Sequence, residues 1–229
     1  MRIVLLLVLT MVLHACTVTK TVPTTDGKLK PTEVAEGLVE ALLVGTDKST
    51  AQASKTDGFW GNAVIRILFP PEAEKVKQAA LTIGLRPVVE RFELSLNRAA
   101  EDAAKEAKPI LIAAVKRIRF ADVWTILTGG PHAATDYLRL HTEAQLLQAF
   151  RPVVQASVGR AEVTKYWKPL ADKYNALPLV KPVNPDLTSY VAERTLNGLF
   201  TLIAEEERLI REHPFARISE LLRKVFGRK

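Results

Sequence analysis

The chain reads as all-α: a single multi-helix bundle with one short extended segment near residues 59–71. Three observations predict this. Apolar residues recur at three- and four-residue spacing along most of the chain. Pro and Gly fall at the ends of those periodic stretches far more than within them. The one apolar stretch without helical spacing, Phe59–Pro71, ends in two prolines and has no partner strand elsewhere.

From the N-terminus, Met1-Arg2 precedes an apolar run from Ile3 to Leu13. It is too short for a bilayer core, which needs about 20 residues, and it matches the middle of a secretory signal peptide. Leu13, Ala15 and Cys16, the only cysteine, resemble the bacterial lipoprotein signal, in which the Cys becomes the lipidated first residue. The alternative is a secreted protein with an incidental Cys at the signal boundary. Residues 1–15 are therefore expected to be a signal peptide of lipoprotein type, and 16–31 a tether rich in Thr and Lys. Residues 32–229 form the helical domain. With Cys16 used as the anchor, no thiol remains for a disulfide or a thiolate site.

Within the domain, Thr32 is expected to cap a helix over 33–45, with Val34, Leu38 and Leu42 on one face and Gly45 at its end. Pro71 and Gly84 bracket the next helix. In 86–108 the residues Val88, Val89, Phe92, Leu96, Ala99, Ala103 and Ala107 share an arc about 100° wide. Its alanines imply a closely approaching neighbour helix. Pro109 separates this stretch from the apolar 110–120. Paired glycines then end 121–130. Residues 131–159 form one long or broken helix, with a possible restart at Thr142 and a kink at Pro152. A shorter helix covers 161–177. After a proline-punctuated connector, Asn184-Pro185 opens the long helix 186–213, and Pro214 stops it before a last amphipathic stretch, 217–227.

Several stretches together resemble a bacterial family: LSLNRAAEDAAKEAKPI (94–110), GGPHAATDYLR (129–139), AFRPVV (149–154), TKYW (164–167) and the whole of 183–227. The family is domain-of-unknown-function family 4197, whose members carry export or lipoprotein signals. The resemblance implies a helical envelope protein, and it carries over no catalytic residue, because the family has no established activity.

Two polar clusters stand out from the residues themselves. On a wheel counted from Leu187, Glu206 falls inside the apolar arc, while Glu205 and Glu207 fall at its edges. A core-facing carboxylate needs a partner, so Glu206 is expected to be buried against Arg98, Arg139 or another arginine of the middle helices. The rival reading is a metal or acid/base carboxylate. Asn97 and Glu101 lie one turn apart, close enough to reach one ligand together, although such a stripe is more often a solvated face. Arg98 points away from both.

The sequence holds no HExxH, no GxSxG and no phosphate-binding loop, and its histidines do not pair at ligand spacing. No cofactor or metal is expected. The net charge of +7 comes from basic residues mixed with acids throughout, which argues against nucleic acid and for an anionic lipid surface or another envelope component. The expectation is a non-enzymatic binding or scaffold module, lipid-anchored at the periplasmic face of an outer membrane. The alternatives are a carboxylate- or metal-dependent enzyme using Glu206 with Glu101 or Asn97, and a carrier of a lipid or other apolar ligand.

Overall fold

A computed structural model describes residues 28–183 and 186–227. The expected signal peptide, Cys16, most of the expected tether and the expected Asn184-Pro185 helix start lie outside the described residues. Eight helices and no strand make up the described structure, which is 75% helical. The helices are α1 (Pro31–Ala53), α2 (Glu74–Thr82), α3 (Arg86–Arg117), α4 (Val123–Thr128), α5 (Ala133–Arg160), α6 (Val163–Asn175), α7 (Thr188–Glu212) and α8 (Glu220–Phe226). The chain is an all-α bundle, as expected. No described helix is long and apolar enough to cross a membrane.

Helix α3 is the central member and packs against α1, α5, α6 and α7. Its alanine stripe, Ala99, Ala100, Ala103, Ala104 and Ala107, is buried, which lets neighbouring backbones come close. Opposite charges fix the pairs at the edges: Lys108 with Asp47 of α1, and Arg160 of α5 with Asp102, 2.6 Å apart. Beside α6, Phe92 stacks on Trp167 at 5.0 Å, and Phe69 meets both rings edge-on.

Helix boundaries depart from the sequence expectations in α1 and α3, and α5 takes the unbroken one of its two expected forms. Helix α1 starts at Pro31 rather than after Thr32, with the Lys30 N–H donating to Glu33. It also runs on past Gly45 to Ala53. Gly45 is no stop signal; it lies in the contact with α7, where an added Cβ would sit 3.3 Å from Ile203. Proline109 lies within a continuous α3, and Pro152 and Thr142 within a continuous α5. An interior proline costs about 3 kcal/mol, but buried residues continue on both sides of each, Ala107 and Leu111 in α3, Phe150 and Val154 in α5. Gly84, by contrast, ends α2 as expected, at φ +80°.

The expected extended segment 59–71 is a series of turns to residue 65 and irregular backbone over 66–70, followed by a short 3-10 turn, Pro71–Ala73. It lies across α3 and α7. Phe59 fills the space that a side chain at Gly198 would need, its ring 2.7 Å from a Cβ built there. Tyr190 of α7 donates from its hydroxyl to the Leu68 carbonyl at 3.0 Å.

Candidate functional site

The polar stripe of α3 is not a solvated face. Asn97 and Glu101 are both buried, and each is committed to the irregular segment. The Asn97 side chain accepts from Ile67 N–H and donates to Ile67 C=O, both at 2.8 Å, with a further donation to Glu93 C=O. It thus copies the two-way bond of a neighbouring strand, which the lone segment lacks. Glu101 Oε1 accepts from the Phe59 and Trp60 amides, each at 3.1 Å, and its Oε2 accepts from Arg98 at 2.6 Å. Arg98 does not point away from the stripe; it spans Glu101 and Asp57 of the segment, and these pairings hold its pKa above the ordinary value against the cost of burial. The buried Asn97 and Glu101 and the partly exposed Arg98 therefore form a polar network, but one whose bonds are all spent within the protein.

The buried carboxylate of α7 is Glu207, not Glu206. Glu207 is fully buried, four residues after Ile203 and three before Ile210, and shares their face. Its carboxylate accepts from the Ala134 and Thr135 amides at 3.0 and 2.7 Å, and from the Thr135 hydroxyl at 2.7 Å. Those are the first-turn donors of α5, which have no partners within their own helix. Arg211, one turn along α7, pairs with the same carboxylate at 2.7 Å and donates to the Ile126 and Leu127 carbonyls at the end of α4. One ion pair thus caps two helices, its negative end at an N-terminus and its positive end at a C-terminus, the arrangement that helix dipoles favour.

Glu206 points to the other side of α7. Its partner is Lys48 of α1 at 2.8 Å, and its side chain keeps 18% of its exposure. Neither expected arginine reaches it. Arg98 serves the Asn97–Glu101 network, which latches the irregular segment to α3, and Arg139 donates to Glu143 at 2.9 Å and to Asn197.

Glu206 and Arg139 do border one shared feature, a cleft of about 590 Å³ between α5 and α7, closed at one side by the end of α1 and the Asn62–Val64 turn. Val64, Phe200 and Leu202 supply apolar surface in it; His132, Asp136, Glu205 and Gln52 supply polar groups. His132 Nδ1 lies 3.0 Å from the Ala204 carbonyl. A carbonyl only accepts, so the proton is on Nδ1. Glu205 is kept below the ordinary carboxylate range chiefly by its hydrogen bond from Arg208, burial opposing, with His132 and His213 adding to the effect. His141 lies elsewhere, stacked on Tyr137 with ring centroids 4.0 Å apart. Asp136, Gln52 and Asn62 carried no signal in the sequence, since the cleft gathers them from three distant segments.

The arrangement suits binding. Its polar groups are mixed in sign, and His132, Arg139, Glu205 and Glu206 are already oriented by protein partners. The hydroxyl and carboxylate that do meet beside the cleft, Thr135 and Glu207, are both buried, so that pair does not face a substrate. Glu101 and Asn97 belong to the latch, not to this cleft, so the structure does not bring Glu206 together with either. Among the described residues no three His, Cys, Asp or Glu side chains converge as a metal would require.

No curated protein and no solved structure matches the chain. Residues 28–227 match the family described as protein of unknown function (DUF4197). That span takes in every helix described above, including the Glu207–Arg211 pair and the Asn97–Glu101 latch, and the chain belongs to the DUF4197 family.

Proposed function

We propose that the protein is an exported lipoprotein, anchored in an envelope membrane through Cys16, whose helical domain acts as a non-enzymatic binding module with the α5–α7 cleft as its recognition site. The observation that carries the binding reading is the make-up of the cleft. Arg139, His132 and Glu206 already have protein partners around an apolar floor, an arrangement that positions hydrogen-bonding groups without a nucleophile set beside a base. The anchor reading rests on the short apolar run that ends at Leu13, Ala15 and Cys16.

Metabolic labelling with a radioactive fatty acid, comparing wild type with Cys16→Ser, tests the anchor. Label is expected in the wild type alone, and equal absence from both defeats it. Native mass spectrometry of Cys16→Ser purified without detergent tests the module. A bound organic molecule that is lost in Arg139→Ala supports the cleft. A stoichiometric metal ion would shift the assignment to a carboxylate-dependent enzyme.

A further inference from the structure

Large apolar side chains are exposed at several places on the surface, Val64, Ile83 and Leu179 among them, and the end of the bundle where α1 begins and α7 stops is one of these places. It carries three large apolar side chains in the open: Trp124 at 40% exposure, Phe215 at 79% and Ile218 at 62%. Their placement follows from the contacts around Arg211, which ties the end of α4 to α7 and lies over the Phe226 ring of α8. Arg217, between Phe215 and Ile218, donates to the last carbonyls of α7. Between α4 and α8 opens an apolar groove of about 670 Å³ lined by Leu29, Trp124, Leu127, Val225 and Phe226, with Lys28 at its rim.

Charge at this end is predominantly cationic. Lys116 and Arg117 close α3, Arg119 follows, and Lys28 lies beyond α4; none has an acidic partner among the described residues. The acids nearby are mostly engaged. Asp122 caps α4 through the Trp124 and Thr125 amides, Glu33 is held by Lys224, and Glu212 by Arg208. Glu36 and Glu220 are the exposed exceptions.

We infer that this end docks on an anionic phospholipid bilayer, with Trp124, Phe215 and Ile218 at the headgroup level and Lys28, Arg117 and Arg119 facing the lipid phosphates. The inference rests on the anchor reading for its geometry. Eleven residues separate Cys16 from Lys28, and a flexible chain of that length averages about 20 Å end to end. An anchor at Cys16 therefore brings this end, rather than the α2–α6 end, against the bilayer. An aromatic side chain at the interface and basic residues over an anionic leaflet are the combination that surface-bound proteins use.

The test uses the full chain purified from membranes and added to vesicles of phosphatidylcholine alone or mixed with phosphatidylglycerol, each with ordinary or brominated acyl chains. Flotation and tryptophan emission are read together. In brominated vesicles containing phosphatidylglycerol, emission should be quenched; Trp124→Phe should abolish the quenching, and Lys28→Gln/Arg117→Gln/Arg119→Gln should weaken it. Trp167 is buried, and the half-buried Trp60 sits beside Glu101 toward the opposite end of the bundle, so neither is quenched. Flotation on both vesicle types without quenching leaves the anchor standing and overturns the docking. Flotation only with phosphatidylglycerol, together with no fatty-acid label at Cys16, supports the docking and overturns the anchor. Failure to float with either composition overturns the docking outright.

Discussion

The Glu207 carboxylate caps the N-terminus of α5 from a position 72 residues away, accepting from both the amide and the hydroxyl of Thr135. Because the same carboxylate is paired with Arg211, the junction of α4, α5, α7 and α8 depends on one buried ion pair.

Removing that charge should be among the most damaging single changes in the domain. Breaking a buried pair from one side costs about 3–5 kcal/mol, since the remaining ion is left without its partner. Glu207→Gln keeps the shape but strands Arg211 and weakens the α5 cap. Glu206→Gln, which gives up a partly exposed pair with Lys48, should cost at most about 1 kcal/mol. Urea melts of the two variants decide between them, and equal midpoints would mean that Glu207 is solvated.

The latch on the irregular segment makes a local prediction. Asn97→Ala leaves the Ile67 N–H and C=O without partners, at about 1–3 kcal/mol for each stranded group. The loss should appear first as faster amide exchange over residues 59–67, with α5 still protected. Asn97→Asp can still accept from Ile67 N–H but cannot donate to its carbonyl, so it should rescue only part of the protection. Unchanged exchange in Asn97→Ala would show that the segment is held by Phe59 and Tyr190 instead.

Two glycines give a packing prediction of opposite sign. A Cβ at Gly37 would lie 2.6 Å from the Val225 side chain, where α8 crosses α1, and overpacking of this kind costs about 1–3 kcal/mol. A Cβ at Gly159, near the end of α5, meets nothing within 4 Å, and replacing a helical glycine by alanine stabilises by about 0.5–1 kcal/mol. Thermal melts of Gly37→Ala and Gly159→Ala should therefore move in opposite directions. A rise for Gly37→Ala would place α8 away from α1.

How far these features were legible in the sequence depends on how local their causes are. The alanine stripe of α3 and the Pro71–Gly84 bracketing of α2 follow from spacing within one helix, and both are found. Gly45 and Pro109 carry local signals for helix ends, yet contacts made by their neighbours override those signals. A single wheel, counted at 100° per residue from Leu187, favours Glu206 over Glu207 because it assumes one buried face. Helix α7 lies between α1 and α5 and is buried on two, so the face toward α5 holds Glu207 and the margin toward α1 holds Glu206. The nearer signal was the spacing of Glu207 from Ile203 and Ile210. For Asn97 and Glu101 the partners are backbone groups 30 to 42 residues away, which no helical pattern encodes.

The last prediction concerns acid. Asp102 of α3 is partly buried, which alone would raise its pKa, but hydrogen bonds from Arg160, Lys105 and Ser157 outweigh that and hold it below its ordinary 3.8. A carboxyl lowered on folding contributes stability above its unfolded pKa, and that contribution is lost as pH falls through the folded value. The α3–α5 contact should therefore be weakened by acid in a way that Asp102→Asn is not. At neutral pH the variant should be less stable than wild type by about 1 kcal/mol, the upper range for a pair of this exposure. The difference should hold down to about pH 4, near the unfolded value, and shrink below it as wild-type Asp102 becomes protonated. Added salt at neutral pH should narrow the gap only partly, because a partly buried pair is screened less than an exposed one. Denaturant melts of both proteins across this pH range provide the measurement. A gap that stays constant into acid would mean that Asp102 acts through its shape and hydrogen bonding to Ser157, not through its charge.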